Sequence, residues 1–271
     1  MFLLALALLA GGIYTVVAFV QRSEKLVTER CTADVGTQSA ELAIDQTANA
    51  SLIAAVAVRR GLPARAASIA LATAMQESKL RNIDHGDLAG PDSRGLFQQR
   101  PSQGWGTQEQ IMDPYHAVNA FYDALVKIPG YQSLDITDAA QRVQRSAFPT
   151  AYAQHEAMGR SFASALTGQT PEAIQCTLRA PQEAGQPETV DSELAQAYGA
   201  LATAVEGESL VVEASNGQAW SVAQWAVANA KDLSVTQVDV AGRSWLRKDQ
   251  AGWKVSDAPD GQVKITVAPA A

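Results

Sequence analysis

The sequence predicts a mainly α protein: one N-terminal transmembrane helix, a helical domain, and a small α+β domain at the C-terminal end. Three observations carry this reading. Phe2 to Val20 contains no charged side chain, and about 20 apolar residues span a bilayer as a helix. From Thr37 to Leu166, Ala-rich segments repeat apolar residues at helical spacings and are cut by Gly and Pro. Beyond Pro187 the pattern turns to short alternating runs bounded by turn residues. A chain of 271 residues has room for two ordinary domains. The expected division is an anchor at 2–20, a helical domain at 31–177, an acidic linker at 178–189 and an α+β domain at 190–271.

The apolar segment is closed by Gln21-Arg22-Ser23-Glu24-Lys25. It reads as an anchor, with a cleavable signal peptide as the competing reading, although no basic stretch precedes it. Arg22, Lys25 and Arg30 after the span would keep the bulk cytoplasmic by the positive-inside rule. Cys31 and Cys176 argue for the outer side, because a disulfide between them would staple the two ends of the helical domain in an oxidising compartment. Two free thiols are the alternative. The expectation adopted here is a single-pass membrane protein with its bulk extracytoplasmic.

Within the helical region, Leu42, Ala43, Ala48, Leu52, Ile53 and Val56 fit a helix from Thr37 to Arg60, ended by Gly61-Leu62-Pro63. The next helix is expected from Pro63 to Leu80. Periodicity is lost from Asn82 to Gly106, a loop too long to be idle in a compact domain. Asp113-Pro114 caps a helix through Asn119 and Leu125, Thr137 opens one through Gln144, and a last runs from Tyr152 to Leu166. In the C-terminal domain, Ser192 starts a helix with Leu194, Tyr198, Leu201 and Val205 on one stripe. Ser209 to Ala214 is a strand, Ala219 to Ala230 a helix and Leu233 to Val240 a strand. Three shorter strands follow. Four of the five tryptophans (Trp220, Trp225, Trp245, Trp253) fall in this domain, as core or as a binding surface.

The formal net charge of −7 is concentrated between Pro181 and Glu208, which holds six acids and no Lys or Arg. No basic-aromatic patch points to nucleic acid, and three histidines and two cysteines are too scattered for a metal cluster. Neither metal nor cofactor is expected.

The chemistry centres on Glu77, in Met75-Gln76-Glu77-Ser78. A glycosidic bond is cleaved by a carboxylic acid still protonated near neutral pH. Glu77 sits near the C-terminal end of its helix, on the face of Ala70 and Thr73, and both the helix dipole and burial raise a carboxyl pKa there. The loop that follows holds Gly95-Leu96-Phe97-Gln98-Gln99-Arg100-Pro101.

Glu77-Ser78 at a helix end, followed after such a loop by Gly-Leu-aromatic-Gln and a proline, resembles the lysozyme-like superfamily, in its soluble lytic transglycosylase and goose-type lysozyme branch. Asp113-Pro114 with Asn119 and Tyr122 is similar to the helix that succeeds the second motif there. The similarity covers about Ala48 to Leu166 and has an actinobacterial or phage-lysin look near Val143 to Ala153. It implies a lysozyme-like helical domain with Glu77 as the acid, Ser78 supporting it by hydrogen bonding, and Gln98 lining a sugar cleft. The family's third motif, Ala-Tyr-Asn-Ala-Gly, is replaced by Ala140-Gln141-Arg142-Val143-Gln144-Arg145-Ser146, which lacks the tyrosine. Tyr152 and Gln144 are the candidates to take over its contacts.

A hydrolase benefits from a second carboxylate to position water, and Asp84, Asp87 and Asp92 are candidates, or simply turn formers. A transglycosylase needs none. Trp105, between Gly104 and Gly106, is either a stacking wall for sugar rings or packing under the loop. The implied partners are peptidoglycan glycan strands, the membrane, and an envelope protein for the C-terminal domain. The implied activity is glycan-strand cleavage, with an inactive wall-binding or scaffolding protein as the alternative.

Overall fold

The computed structural model describes residues 27–88, 90–145 and 150–270. The anchor expected at 2–20 lies outside the described residues, and no helix within them is long and apolar enough to cross a membrane. The expected mainly α architecture, with a lysozyme-like all-helical domain, is overturned. The described residues form eight α-helices and two antiparallel sheets, 41% helix and 18% strand, which is an α+β fold.

The first departure is at the start. β1 (Arg30–Val35) turns at Gly36, whose φ of +60° favours glycine, into β2 (Gln38–Leu42). β3 (Ile174–Thr177) returns to the other side of β1, giving the order β2-β1-β3. Thr37 to Leu42, expected as helix, is therefore turn and strand. Alternation along these strands sends Cys31, Ala33, Leu42, Ile174 and Cys176 to one buried face. Cys31 and Cys176 stand directly opposite one another in the register and form a disulfide across 145 residues.

α1 (Ile44–Arg59) starts where the Gln46 side chain accepts from the Ala43 N–H at 3.0 Å. After Gly61 and Pro63 comes α2 (Ala64–Ser78), buried without interruption from Ala66 to Ala74. A helix apolar all round must be covered all round. α1, α4 (Pro114–Leu125), α5 (Ile136–Gln144) and α6 (Glu156–Leu166) cover it. Gly159 lets α6 lie close against α2, because a Cβ there would lie 2.8 Å from Ser68 O. The short α3 (Gln108–Met112) precedes α4.

α7 (Pro187–Tyr198) begins inside the stretch expected as a linker, where Leu178 and Pro187 are buried. Gly199, at φ +83°, ends it, so Leu201 and Val205 do not continue its stripe; Val205 belongs to β4 (Thr203–Glu206). β5 (Ser209–Glu213), α8 (Asn216–Ala228), β6 (Val235–Val240), β7 (Arg243–Leu246), β8 (Lys254–Val255) and β9 (Gln262–Val267) follow. The six strands lie in the order β4-β5-β9-β6-β7-β8. α8 packs on β6 and β9 and also on α1 and α6, which explains why it is buried continuously from Ala219 to Ala228. Gln224 on α8 is fully buried and fully satisfied: its oxygen accepts from Ala173 N and Ile174 N, and its nitrogen donates to Ala165 O and Thr170 O. One continuous apolar core thus joins the helical region to the larger sheet. Trp220, Trp225 and Trp245 are buried in it, and Trp253 meets Trp220 edge-on at 5.3 Å.

Candidate active site

Glu77 is the penultimate residue of α2, and Lys79 ends that helix in the left-handed conformation at φ +56°. Its carboxyl is mostly buried and, among the described residues, makes no ion pair. Instead the Tyr152 hydroxyl donates to Oε1 at 2.7 Å, and the Gln144 amide also hydrogen-bonds the carboxyl. Burial pushes the Glu77 pKa up. The Tyr152 and Gln144 hydrogen bonds pull against it, the negative charge of Asp87 adds to the rise, and the net direction is upward.

The two groups that meet Glu77 arrive from different elements. Gln144 is the last residue of α5, where Arg145 takes the left-handed cap at φ +52°. A second hydrogen on its amide reaches Phe97 O at 2.8 Å, so one side chain fastens both the acid and the loop opposite. Tyr152 is fully buried just before the 3-10 turn Ala153–His155 that leads into α6. The structure therefore brings a tyrosine to Glu77 from a position later in the chain than Ala140 to Ser146, the segment without one.

Gly95 to Pro101 forms a tight turn closed by Arg94 N donating to Gln99 O at 2.9 Å. Gly95 is required there: its φ is +76°, and a Cβ would lie 2.6 Å from Ile111 O. Leu96 and Phe97 are fully buried, with Phe97 stacked on Phe121 at 4.5 Å. Ser78 reaches this turn rather than Glu77. Its hydroxyl lies 2.7 Å from Leu96 O and 3.1 Å from Ala74 O, so it holds the loop against the end of α2. Gln98, at φ +48°, hydrogen-bonds within its own turn, to Gly95 O at 3.3 Å. The anchor that sequence reasoning missed is its neighbour Gln99, 2% exposed, whose amide donates to Ala117 O on α4 at 3.0 Å. Strand-like alternation through Leu96 to Gln99 gives no warning of it, because a positive φ at Gln98 reverses the direction.

The three loop acids separate. Asp92 is held by Ser102 and by the Arg100 guanidinium at 2.7 Å, and these hold its pKa down at about 2. Asp84 is exposed beside His85 at 3.1 Å, and that hydrogen bond lowers its pKa. Asp87 accepts from Gly90 N at 2.8 Å and is the one whose charge acts on Glu77. Trp105 is half-buried against the core edge, its carbonyl 3.3 Å from His116 Nε2. Among the described residues no three His, Cys, Asp or Glu side chains cluster as a metal site. Taken together, the arrangement offers one protonatable carboxyl, oriented by two neutral donors, beside a loop pinned from three sides. The chain matches no protein-family model and no curated protein.

Proposed function

We propose that this chain cleaves peptidoglycan glycan strands on the outer face of a bacterial membrane, with Glu77 as the single general acid and base. The observation that carries the reading is the mostly buried Glu77 carboxyl, met by the Tyr152 hydroxyl and the Gln144 amide and, among the described residues, by no cation. A cation would hold the carboxylate ionised, whereas neutral donors orient it and leave it free to carry a proton. The resemblance of Glu77-Ser78 and Gly95 to Pro101 to the lytic transglycosylases supports the same assignment. The Cys31–Cys176 disulfide supports an extracytoplasmic location. Retention by an anchor at 2–20 belongs to the same proposal.

In the proposed step, Glu77 gives its proton to the glycosidic oxygen as the bond to the anomeric carbon breaks. The muramyl C6 hydroxyl then attacks that carbon and Glu77 takes the hydroxyl proton, which closes an anhydro ring and restores the acid. Asp92 is tied to Arg100 and Asp84 lies beside His85, while the charge of Asp87 acts on Glu77. The one-carboxyl route is favoured over hydrolysis by the resemblance to the lytic transglycosylases, not by the placement of the acids.

The test is digestion of purified sacculi by the full-length protein, with products identified by mass spectrometry. Anhydromuramoyl ends are expected from wild type and none from Glu77→Gln. Reducing ends would instead assign a hydrolase with Asp87 as its second carboxylate. Release of nothing by wild type would remove the enzyme reading and leave a wall-binding protein.

A further inference from the structure

Arg247 is a buried charge that this chemistry does not use. It lies two residues beyond Trp245, so the alternation of β7 continues inward through both, and Arg247 is 6% exposed. Its Nε donates to Arg179 O at 2.7 Å, and its Nη1 donates to Ala230 O at 2.7 Å and to Val235 O at 3.3 Å. Among the described residues it makes no ion pair, and its Nη2 has no hydrogen-bond partner yet is not sealed from solvent. Glu29, the acid whose field reaches it, is already paired with Lys231 at 2.5 Å.

Arg247 lines a cavity of ≈ 450 Å³ together with Arg179 and Lys248, and among the described residues no acidic side chain lines it. In a chain of net charge −7, three cations lining one cavity concentrate positive charge, offset in part by Glu29, which accepts from Arg179 N at 3.1 Å and is paired with Lys231. Leu178, Pro181 and Leu246 supply an apolar wall. We infer that this cavity binds an organic carboxylate, of the kind carried by the C-terminal end of a short peptide. Arg247 presents one unengaged nitrogen rather than a two-pronged fork, which suits a monoanion better than phosphate. The apolar wall seats the aliphatic group beside the carboxylate. This inference stands apart from the Glu77 reading and survives if that reading fails.

The test titrates N-acetyl-alanyl-alanine, its C-terminal amide and inorganic phosphate into the full-length protein, following the Arg247 Nε–H resonance by NMR. The acid is expected to shift that resonance saturably and to bind about tenfold or more tighter than the amide, the worth of one charge-assisted hydrogen bond. Lys248→Glu, at an exposed position, is expected to weaken the acid about tenfold without changing the melting temperature. An amide that binds as tightly as the acid, phosphate that binds more tightly than the acid, or an Arg247 resonance that none of the three moves would each overturn the assignment.

Discussion

Glu77, near the end of α2, and Arg247, just beyond β7, are both buried ionisable groups without an ion-pair partner among the described residues, and they are accommodated in opposite ways. Glu77 is met by two neutral donors, Tyr152 and Gln144. Burial makes a carboxyl so placed hold its proton to higher pH than an exposed one, and a proton to give is what glycoside cleavage requires. Arg247 cannot escape in that way, since a guanidinium does not deprotonate in a protein. It is met by three backbone carbonyls instead. Desolvation thus gives a titratable group at one site and a fixed positive charge at the other.

The contrast can be broken or sharpened by substitution, and the largest effect is expected on turnover. Glu77→Gln removes the proton donor and should lower the rate of muropeptide release by about a thousandfold, within the usual span for general acid–base catalysis. Next is the disulfide, which lies where the two regions meet, Cys176 Sγ being 3.4 Å from Val227 O on α8. The double substitution Cys31→Ser with Cys176→Ser should cost about 5 kcal/mol in urea unfolding, by the loop-closure argument for a 145-residue separation. Arg247→Met should cost about 3 kcal/mol in the same measurement, because it strands three carbonyls.

Smaller effects follow at the acid. Ser78→Ala removes the donor to Leu96 O and should cost about 1 to 2 kcal/mol, with a loss of activity as the Gly95 turn loosens. Glu77→Gln should do the reverse to stability. Because burial raises the Glu77 pKa, the folded state keeps its proton to higher pH than the unfolded chain does. Stability from this group is complete below the unfolded pKa and is lost as pH rises through the folded one. Glu77→Gln is therefore expected to stabilise the fold above the folded-state pKa, a gain that vanishes in acid. Thermal melts across this range would show it. A loss at pH 7 would mean that Glu77 is not strained by burial. Opposite signs for Glu77→Gln and Arg247→Met are the signature of the comparison.

Much of the site was legible in the sequence because it rests on local signals. α2 could be placed from Pro63 and an apolar periodicity, and Gly95 to Pro101 stands out by its resemblance to a known motif, the structure then showing that Gly95 admits nothing larger. The smaller sheet was not legible. Arg30 to Leu42 is poor in β-branched and aromatic residues, and its inward positions Cys31 and Ala33 are small, so β1 leaves no strand pattern and Thr37 to Leu42 is absorbed into the Ala-rich helix that follows. Its third strand is supplied from beyond α6, a pairing that no local pattern announces. The role of Ser78 was misread for a similar reason, since its partner Leu96 O comes from a loop whose path depends on Gln98 at positive φ. Arg247 did carry a signal. It falls in register with Trp245 on the inward face of β7, where a charged residue has to find partners.

The central claim is that Glu77 holds a proton where an exposed glutamate would not. A pH titration of its side-chain carboxyl by ¹³C NMR measures this directly. The account predicts a midpoint above the ordinary glutamate value of about 4.3, moving higher still in Tyr152→Phe, where a bond that favours the ionised form is lost. A midpoint at or below the ordinary value, or a downward move in Tyr152→Phe, would contradict it.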